Sequence, residues 1–212
     1  MKIGLMGGTF NPVHIAHLRI AEEARECCSL DRVFFIPAAD PPHKPIAGEI
    51  TFLQRCAMVQ QAIKGNRYFE LSTVEGERSG KSYSIDTIKR FVDDFPDDSL
   101  YFIIGSDSFL EIGLWHCYES IFSLCNIIVV ERPGAPVTDQ LHALPAALRS
   151  QFEQGSESNL THQSGKKVHF TTGCPIAVSS SKIRALAAAG RSIKYLVPPD
   201  AEMYITKKRI YK

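Results

Sequence analysis

The sequence of 212 residues carries 24 Lys plus Arg against 23 Asp plus Glu, so its formal net charge is +1. Because a nearly neutral chain creates no strong overall field, the composition does not favour nucleic acid or an anionic membrane surface as a partner. No apolar stretch is long enough to span a bilayer, and the first residues enter a strand without a signal peptide, which predicts a cytoplasmic protein.

Apolar runs alternate with helical patterns along the whole chain. The predicted strands are Ile3–Met6, Arg32–Pro37, Tyr68–Ser72, Leu100–Gly105, Asn126–Glu131 and Val168–Thr171. The predicted helices are His14–Cys28, Phe52–Lys64, Ser84–Asp94, a short one from Ser106, Cys117–Ser123, Gln140–Phe152, Ser180–Ala189 and Pro199–Lys207. The pattern favours an α/β fold with a doubly wound, Rossmann-like parallel sheet, and the polar stretch Gly155–Lys167 is predicted as a mobile loop. We expect a single domain over residues 1–212, with a C-terminal helical part from about residue 180.

The first predicted strand ends in a glycine turn, Gly7-Gly8-Thr9-Phe10-Asn11-Pro12, which is followed by His14 and His17 at the start of a predicted helix. Glycine lets the backbone approach a phosphate closely, and a helix N-terminus offers free N–H groups and the positive end of its dipole. Residues three apart in a helix face the same way. The segment therefore indicates a site for nucleotide phosphates.

Two other interpretations of the histidines stay open from the residues alone. His14 and His17 are compatible with surface or capping positions, or with two ligands of a zinc ion. A zinc site needs further ligands, and neither a Cys-x-x-Cys nor a His-Glu-x-x-His pattern supplies them. The six cysteines are scattered without metal spacing, so we expect reduced thiols.

Two segments that follow later strands also carry groups suited to a nucleotide. After the second strand, the prolines of Asp40-Pro41-Pro42-His43-Lys44-Pro45 stiffen a loop that holds out Lys44 as a point charge, although a rigid surface loop would look the same. At the end of the fourth strand, Gly105 permits close approach and Asp107 can accept hydrogen bonds from a ribose or an adenine. A capping role for Asp107 is the alternative.

Another predicted helix begins with Ser180 and Ser181 and carries Arg184 one turn further along. Serine hydroxyls and free N–H groups at a helix start can receive a phosphate, and the arginine fork one turn further can bind the same anion. Plain capping with a surface arginine explains these residues as well. Trp115, the only tryptophan, is by itself more typical of a core than of a stacking platform.

Together the segments resemble the signatures of the nucleotidyltransferase superfamily, in its nicotinate mononucleotide adenylyltransferase branch. Residues 7–17 match G-G-T-F-[DN]-P-x-H-x-G-H at each fixed position except Ala16, which replaces a glycine. Residues 178–184 are similar to I-S-S-T-x-I-R, with Val178 and Ser181 as conservative departures. The segments around Lys44, Ser84, Asp107 and Arg132 resemble the P-P-H-K, S-Y-[TS], G-[SAQ]-D and R-P-G motifs of that family.

The resemblance implies adenylyl transfer from ATP to nicotinate mononucleotide, which forms nicotinate adenine dinucleotide and pyrophosphate in NAD biosynthesis, with Mg²⁺ carried by the ATP and no metal site on the protein. It implies catalytic roles for His14, His17, Lys44 and Arg184. It implies substrate contacts for Gly7, Gly8, Thr9, Phe10, Ser84, Gly105, Asp107, Trp115, Arg132, Ser180 and Ser181. Within this set, the start of the Ser84 helix would receive the nicotinate carboxylate and Trp115 would stack on the pyridine ring.

Other functions are weighed against the resemblance. A related transferase that acts on pantetheine phosphate or a nucleotide-linked alcohol would carry threonine in place of His14. A nucleotide-binding sensor has less need of the complete set of His14, His17, Lys44 and Arg184. A plain α/β interaction domain leaves the joint occurrence of the signatures unexplained, and the oligomeric state stays open.

Overall fold

The computed structural model describes residues 1–42, 45–155, 158–172 and 176–212. The strands are β1 (Lys2–Gly8), β2 (Arg32–Pro37), β3 (Phe69–Leu71), β4 (Ser99–Gly105), β5 (Asn126–Val130), β6 (Phe152–Gln154), β7 (Asn159–His162) and β8 (Lys167–Thr171). The helices are α1 (Ile15–Cys28), α2 (Phe52–Ile63), α3 (Ser84–Asp94), α4 (Ser106–Leu110), α5 (Tyr118–Leu124), α6 (Gln140–Ala143), α7 (Ser180–Ala188) and α8 (Pro199–Lys207). Short 3₁₀ turns cover Val74–Glu77, Ile112–Leu114 and Ala146–Gln151.

The strands form one sheet in the order β3-β2-β1-β4-β5-β8-β7-β6. The neighbours β1, β4, β5 and β8 pair in parallel, whereas β8, β7 and β6 pair antiparallel. The predicted α/β fold with a mainly parallel sheet is therefore confirmed, with an antiparallel edge added. From β3 to β5 the order is that of a Rossmann-like sheet, in which ligands bind beyond the carboxyl ends of the strands.

The central strands are apolar without alternation, which predicts a sheet covered on both faces. In β5, each residue from Ile127 to Val130 is at most 1% exposed. In β1, a Cβ added to Gly4 would come within 2.9 Å of the side chains of both Ile103 and Leu30. The absence of a side chain at Gly4 thus allows the core to close around the middle of β1.

The predicted helix Gln140–Phe152 is wrong beyond its first turn. Asp139 caps the start of α6 by accepting a hydrogen bond from the backbone N–H of His142, but α6 ends at Ala143. Leu144 then adopts an extended conformation with ψ of 149°. It does so because Pro145 follows, and the residue before a proline is disfavoured in the helical region.

The predicted loop Gly155–Lys167 contains a strand, β7. Within β7, Leu160 and His162 are buried while Asn159 and Thr161 are partly exposed, which is the alternation of a strand with one covered face. The ring of His162 lies 4.9 Å from that of Phe152, and its two nitrogens contact Ser164 Oγ and Gln151 Oε1 at 2.8 and 3.0 Å. The prediction of a loop is therefore wrong over Asn159–His162, and residues 156 and 157 of the predicted loop lie outside the described residues.

The fold divides into two compact units. The first unit comprises Met1–Met6, Ile20–Val33 and Tyr83–Pro175, and the second unit comprises Gly7–Arg19, Phe34–Ser82 and Ile176–Lys212. The single domain over residues 1–212 stays a prediction. No helix in the described ranges has the length and apolar character needed to cross a bilayer.

Candidate functional site

The glycine turn after β1 lies in the second unit, where Gly7 and Gly8 end the strand. A Cβ on Gly8 would approach the ring of Phe10 to 3.0 Å, so this position has little room for a side chain. Phe10 has a φ of 47°, a left-handed conformation that is uncommon outside glycine, and its side chain is 2% exposed. Its buried ring anchors the turn, which leaves the backbone of the turn to meet a ligand.

His14 and His17 face the same way, as their spacing predicts. Their rings stack at 3.6 Å between centroids and 20° between planes. The backbone N–H of His14 donates to Nδ1 of His17 at 3.1 Å. Because Nδ1 of His17 is an acceptor in this contact, the neutral ring carries its proton on Nε2. Nε2 is therefore the donor atom of the neutral His17 ring. His14 is buried, with 2% of its surface exposed.

The glycine turn is in direct contact with the start of α7 in the same unit. Ser180 Oγ donates to the carbonyl of Pro12 at 2.8 Å across 168 residues of sequence. Arg184 Nη1 donates to the carbonyl of Asn11 at 2.7 Å across 173 residues. The two signature segments, remote in sequence, thus form one cluster. Because the Ser180 hydroxyl donates its hydrogen bond to the carbonyl of Pro12, it stabilises the turn and does not donate to an anion in this arrangement.

The start of α7 keeps groups that can bind an anion. Ser179 caps this helix of 9 residues by accepting a hydrogen bond from the backbone N–H of Lys182. The first N–H groups of a helix lack intrahelical partners, which leaves those of Ser180 and Ser181 at the positive end of the dipole. Arg184 Nη2 lies 3.3 Å from Ser181 Oγ, so the fork and the helix start are adjacent.

Arg55 in α2 is a contributor to this cluster that the sequence did not reveal. Its side chain is fully buried, and Nη1 donates to the carbonyl of Thr9 at 2.8 Å. Nε has no hydrogen-bond partner among the described residues. Burial lowers the pKa of Arg55 from its ordinary value. The sequence contains one signal for Arg55. It is a charged residue on the same buried face of α2 as Met58 and Val59.

The segment before Lys44 is held by the residues that precede α3. The hydroxyl of Ser82 accepts hydrogen bonds from the backbone N–H groups of Ala39 and Asp40 at 2.9 and 3.0 Å. Lys81 Nζ forms an ion pair with Asp40 at 2.9 Å. Lys44 itself lies outside the described residues, so its predicted role at the phosphates stays a prediction.

In the first unit, Gly105, Asp107 and Arg132 lie together. Arg132 Nη1 forms an ion pair with Asp107 Oδ2 at 2.9 Å, and the backbone N–H of Arg132 donates to Ser106 Oγ at 2.9 Å. A Cβ on Gly105 would collide with Asp107 Oδ1 and come within 2.7 Å of Arg132 Cδ. The pair offers an acceptor and a guanidinium side by side at the carboxyl end of β4.

A second group in the first unit surrounds the start of α3. Ser84 is the first residue of this helix, and no side chain of the described residues caps it. The rings of Tyr83 and His116 lie 4.4 Å apart. Trp115, next to His116, is only partly buried and meets the ring of Phe102 edge-on at 6.1 Å. An uncapped helix start with aromatic rings beside it suits an anionic aromatic ligand.

Within the described ranges, no three His, Cys, Asp or Glu side chains are grouped as a metal site. The cysteines described there are free thiols, of which Cys28, Cys56 and Cys125 are buried. Burial raises the pKa of Cys125 to about 12, so this thiol stays protonated and is a poor nucleophile. The side chains described in this site are suited to binding and orienting anions.

Comparisons with known proteins give a consistent result. The model of the cytidylyltransferase-like family matches residues 5–186. A protein of Pelobacter propionicus, named probable nicotinate-nucleotide adenylyltransferase, is 64% identical over 212 residues, which cover 100% of this chain and 98% of that protein. A protein of Geobacter sulfurreducens with the same name is 55% identical over 212 residues, with the same coverage of 100% and 98%.

Solved structures share the fold at low sequence identity. A Plasmodium falciparum nicotinic acid mononucleotide adenylyltransferase complexed with NaAD superposes with a TM-score of 0.76 at 20% identity, over 99% of this chain and 97% of that chain. The same enzyme complexed with APC gives a TM-score of 0.74 at 19% identity, over 99% and 96% of the two chains. These two structures support the assignment of the fold.

Proposed function

Because the chain belongs to the cytidylyltransferase-like family and, within it, to the nicotinate-nucleotide adenylyltransferases, we propose that it transfers the adenylyl group of ATP to nicotinate mononucleotide. The products are nicotinate adenine dinucleotide and pyrophosphate, a step in NAD biosynthesis. The observation that carries this proposal is the cluster in which Arg184 and Ser180 hydrogen-bond to the turn that precedes His14 and His17.

The reaction needs no nucleophile from the protein. An oxygen of the mononucleotide phosphate attacks the α-phosphorus of ATP, the new P–O bond forms, and the bond to pyrophosphate breaks with its electron pair. The attacking phosphate is largely ionised at neutral pH, because its second pKa is about 6. The protein therefore contributes position and charge, and correct positioning alone is worth about 7–11 kcal/mol in model reactions.

The glycine turn and the start of α7 supply the donors for the triphosphate in this proposal. His17 donates from Nε2, the turn Gly7-Gly8-Thr9-Phe10 presents its backbone, and Arg184 provides a planar guanidinium with several N–H donors. His14 supports His17 through the stacked ring and the hydrogen bond to Nδ1. Ser181 and the start of α7 face the same anion. Lys44 would offset the repulsion between the two substrates, a role assigned from its place in the Pro-Pro-His-Lys segment alone.

The organic parts of the substrates are assigned to other residues in this proposal. The pair of Asp107 and Arg132 beside Gly105 would bind the adenylate, with Asp107 accepting hydrogen bonds and Arg132 lying near the substrate. The start of α3 at Ser84 would receive the nicotinate carboxylate. Trp115 would stack on the pyridine ring, and base–aromatic stacking is worth about 1–3 kcal/mol.

Mg²⁺ belongs to the substrate in this proposal. The described residues offer no group of three acidic or histidine ligands, and Mg²⁺ commonly binds through substrate phosphates with few protein ligands. The ion would neutralise part of the charge on the phosphates. His17 and Arg184 would bind the phosphate oxygens that the ion does not contact. We place the reaction in the cytosol, where free thiols such as Cys27 and Cys117 stay reduced.

Product analysis tests the proposal directly. The protein is incubated with ATP and Mg²⁺ together with nicotinate mononucleotide, and in parallel with pantetheine phosphate. We expect pyrophosphate and a product with the mass of nicotinate adenine dinucleotide only in the first mixture. ATP binding without pyrophosphate release would indicate a sensor, and a product from pantetheine phosphate alone would indicate a related transferase.

We expect Gly105→Ala to raise the KM for ATP about 10- to 100-fold, because the new methyl group displaces Asp107 and Arg132 and loses charge-assisted hydrogen bonds. The backbone at Gly105, with φ of −75° and ψ of 155°, accepts alanine without strain, so the effect is steric. The control is Gly113→Ala, whose Cβ would lie at an ordinary distance of 3.4 Å from Pro145 Cγ. Steady-state kinetics with varied ATP measure both. An equal KM in the two variants would remove the pair from the adenylate site.

A further inference from the structure

Asn11, inside the glycine turn, is held by three other segments of the second unit. Its side-chain amide Nδ2 donates to the carbonyl of Ala47 at 2.8 Å. Its Oδ1 accepts a hydrogen bond from the hydroxyl of Tyr211 at 2.6 Å, across 200 residues of sequence. Its backbone carbonyl accepts from Arg184 Nη1 at 2.7 Å. With 3% of its surface exposed, Asn11 depends on these partners because a buried polar group without one is costly.

Tyr211 is suited to a permanent donor role. Burial raises the pKa of its phenol, although the nearby charges of Arg184 and Arg55 act in the opposite direction. The hydroxyl therefore stays protonated across the physiological range. Since Asn11 uses Nδ2 to donate to Ala47, its Oδ1 is the acceptor, and the direction of the Tyr211 hydrogen bond is fixed.

Asn11 connects Tyr211 to Arg184. Nη1 of the Arg184 guanidinium donates to the Asn11 carbonyl at 2.7 Å and Nη2 donates to Ser181 Oγ at 3.3 Å, so the shorter contact to Asn11 is one of two that set the direction of the guanidinium. If Asn11 shifts, the carbonyl shifts with it and the fork loses its orientation. A displacement of about 1 Å at a charged donor is enough to lower a rate substantially when catalysis rests on positioning.

We propose that Tyr211 is a positioning residue for adenylyl transfer, which holds Asn11 in place and through the Asn11 carbonyl orients Arg184 toward the departing pyrophosphate. The proposal rests on the function proposed above. Tyr211 touches neither substrate in it, and it acts only through its hydrogen bond to Asn11 and the one that links Asn11 to Arg184.

The test begins with Tyr211→Phe, which removes the hydroxyl and keeps the buried ring. We expect kcat for dinucleotide formation to fall about tenfold, the scale for leaving one buried acceptor unpaired. The KM for nicotinate mononucleotide should stay unchanged, because the residues assigned to the pyridine ring lie elsewhere in the chain. Tyr204→Phe in α8, an equal loss of a phenolic oxygen, is the matched control and should keep the parent kcat.

A double-mutant cycle separates positioning from general destabilisation. In an Arg184→Ala background, Tyr211→Phe should cause no further loss of kcat, because its only route to the reaction has already been removed. A tenfold loss in both backgrounds, or unchanged kcat in Tyr211→Phe alone, overturns the proposal. If the parent protein itself forms no dinucleotide, the proposed function fails instead, and the two failures are thereby distinguished.

Discussion

Replacing His17 by alanine is expected to lower kcat/KM for dinucleotide formation about 10²- to 10³-fold, the usual cost of removing one donor from a developing negative charge. The expectation follows from the hydrogen bond between the His14 backbone and His17 Nδ1, which leaves the proton on Nε2. A donor fixed in this way needs no reorganisation when charge builds up on the leaving group. Pyrophosphate release at varied ATP and saturating nicotinate mononucleotide is the measurement.

The control for this variant is His142→Ala. The side chain of His142 is 72% exposed and pairs with Asp139, and neither residue is among those assigned to the substrates. It should keep the parent rate. Because the ring of Phe10 also packs edge-on against His17 at 5.1 Å, thermal unfolding should be followed in both variants to show that they are folded. Parent-like turnover in a folded His17→Ala protein would refute the assigned role.

The preference for nicotinate over nicotinamide mononucleotide is expected to reach about 10⁴-fold in kcat/KM, the scale on which a site built for one polar group rejects its mismatch. The helix α3 begins at Ser84 without a side-chain cap from the described residues, so its first N–H groups can receive a carboxylate. An amide would turn its own NH₂ toward these donors. Kinetics on the two mononucleotides at equal ATP measure the ratio, and a ratio near one would contradict the site.

Two substitutions at Ser84 identify the group responsible. Ser84→Pro removes one backbone N–H while proline is well tolerated at the first position of a helix. The preceding Tyr83, with φ of −81° and ψ of 133°, already has the extended conformation that a following proline requires. We expect Ser84→Pro to reduce the acid preference strongly and Ser84→Ala, which keeps the N–H, to retain the ratio. The reverse order would assign the selectivity to the serine hydroxyl.

Local signals in the sequence were sufficient for most of the fold. The predicted helix Phe52–Lys64 agrees with α2 within one residue, and the structure shows a capping box of Thr51 and Gln54 at its start. The end of α6 at Ala143 was not predicted. The composition of the following residues favours a helix, but Pro145 disfavours the helical conformation at Leu144. The strand β7 was missed because its alternation covers only Asn159–His162, too short a span to stand out among polar neighbours.

The candidate site likewise contains residues that the sequence reveals and residues that it does not. Residues within the signatures could be selected because glycine, histidine and arginine at fixed spacing carry a chemical meaning in the linear chain itself. Tyr211 could not, since it acts through a hydrogen bond to a turn 200 residues away in sequence. For Arg55 the only signal is a charge on the buried face of α2, and that signal does not point to the turn at Thr9. A lone tyrosine without periodic neighbours carries no pattern that would connect it with Asn11.

The hydrogen bonds from Ser180 and Arg184 to the turn also set an order of events during translation. The turn leaves the ribosome early, whereas its partners at 168 and 173 residues' distance are synthesised near the end. Until these partners are synthesised, the carbonyls of Asn11 and Pro12 lack the two donors. A polypeptide released before residue 180, or cut and separated from it, would therefore carry the glycine turn without the two hydrogen bonds that hold its carbonyls.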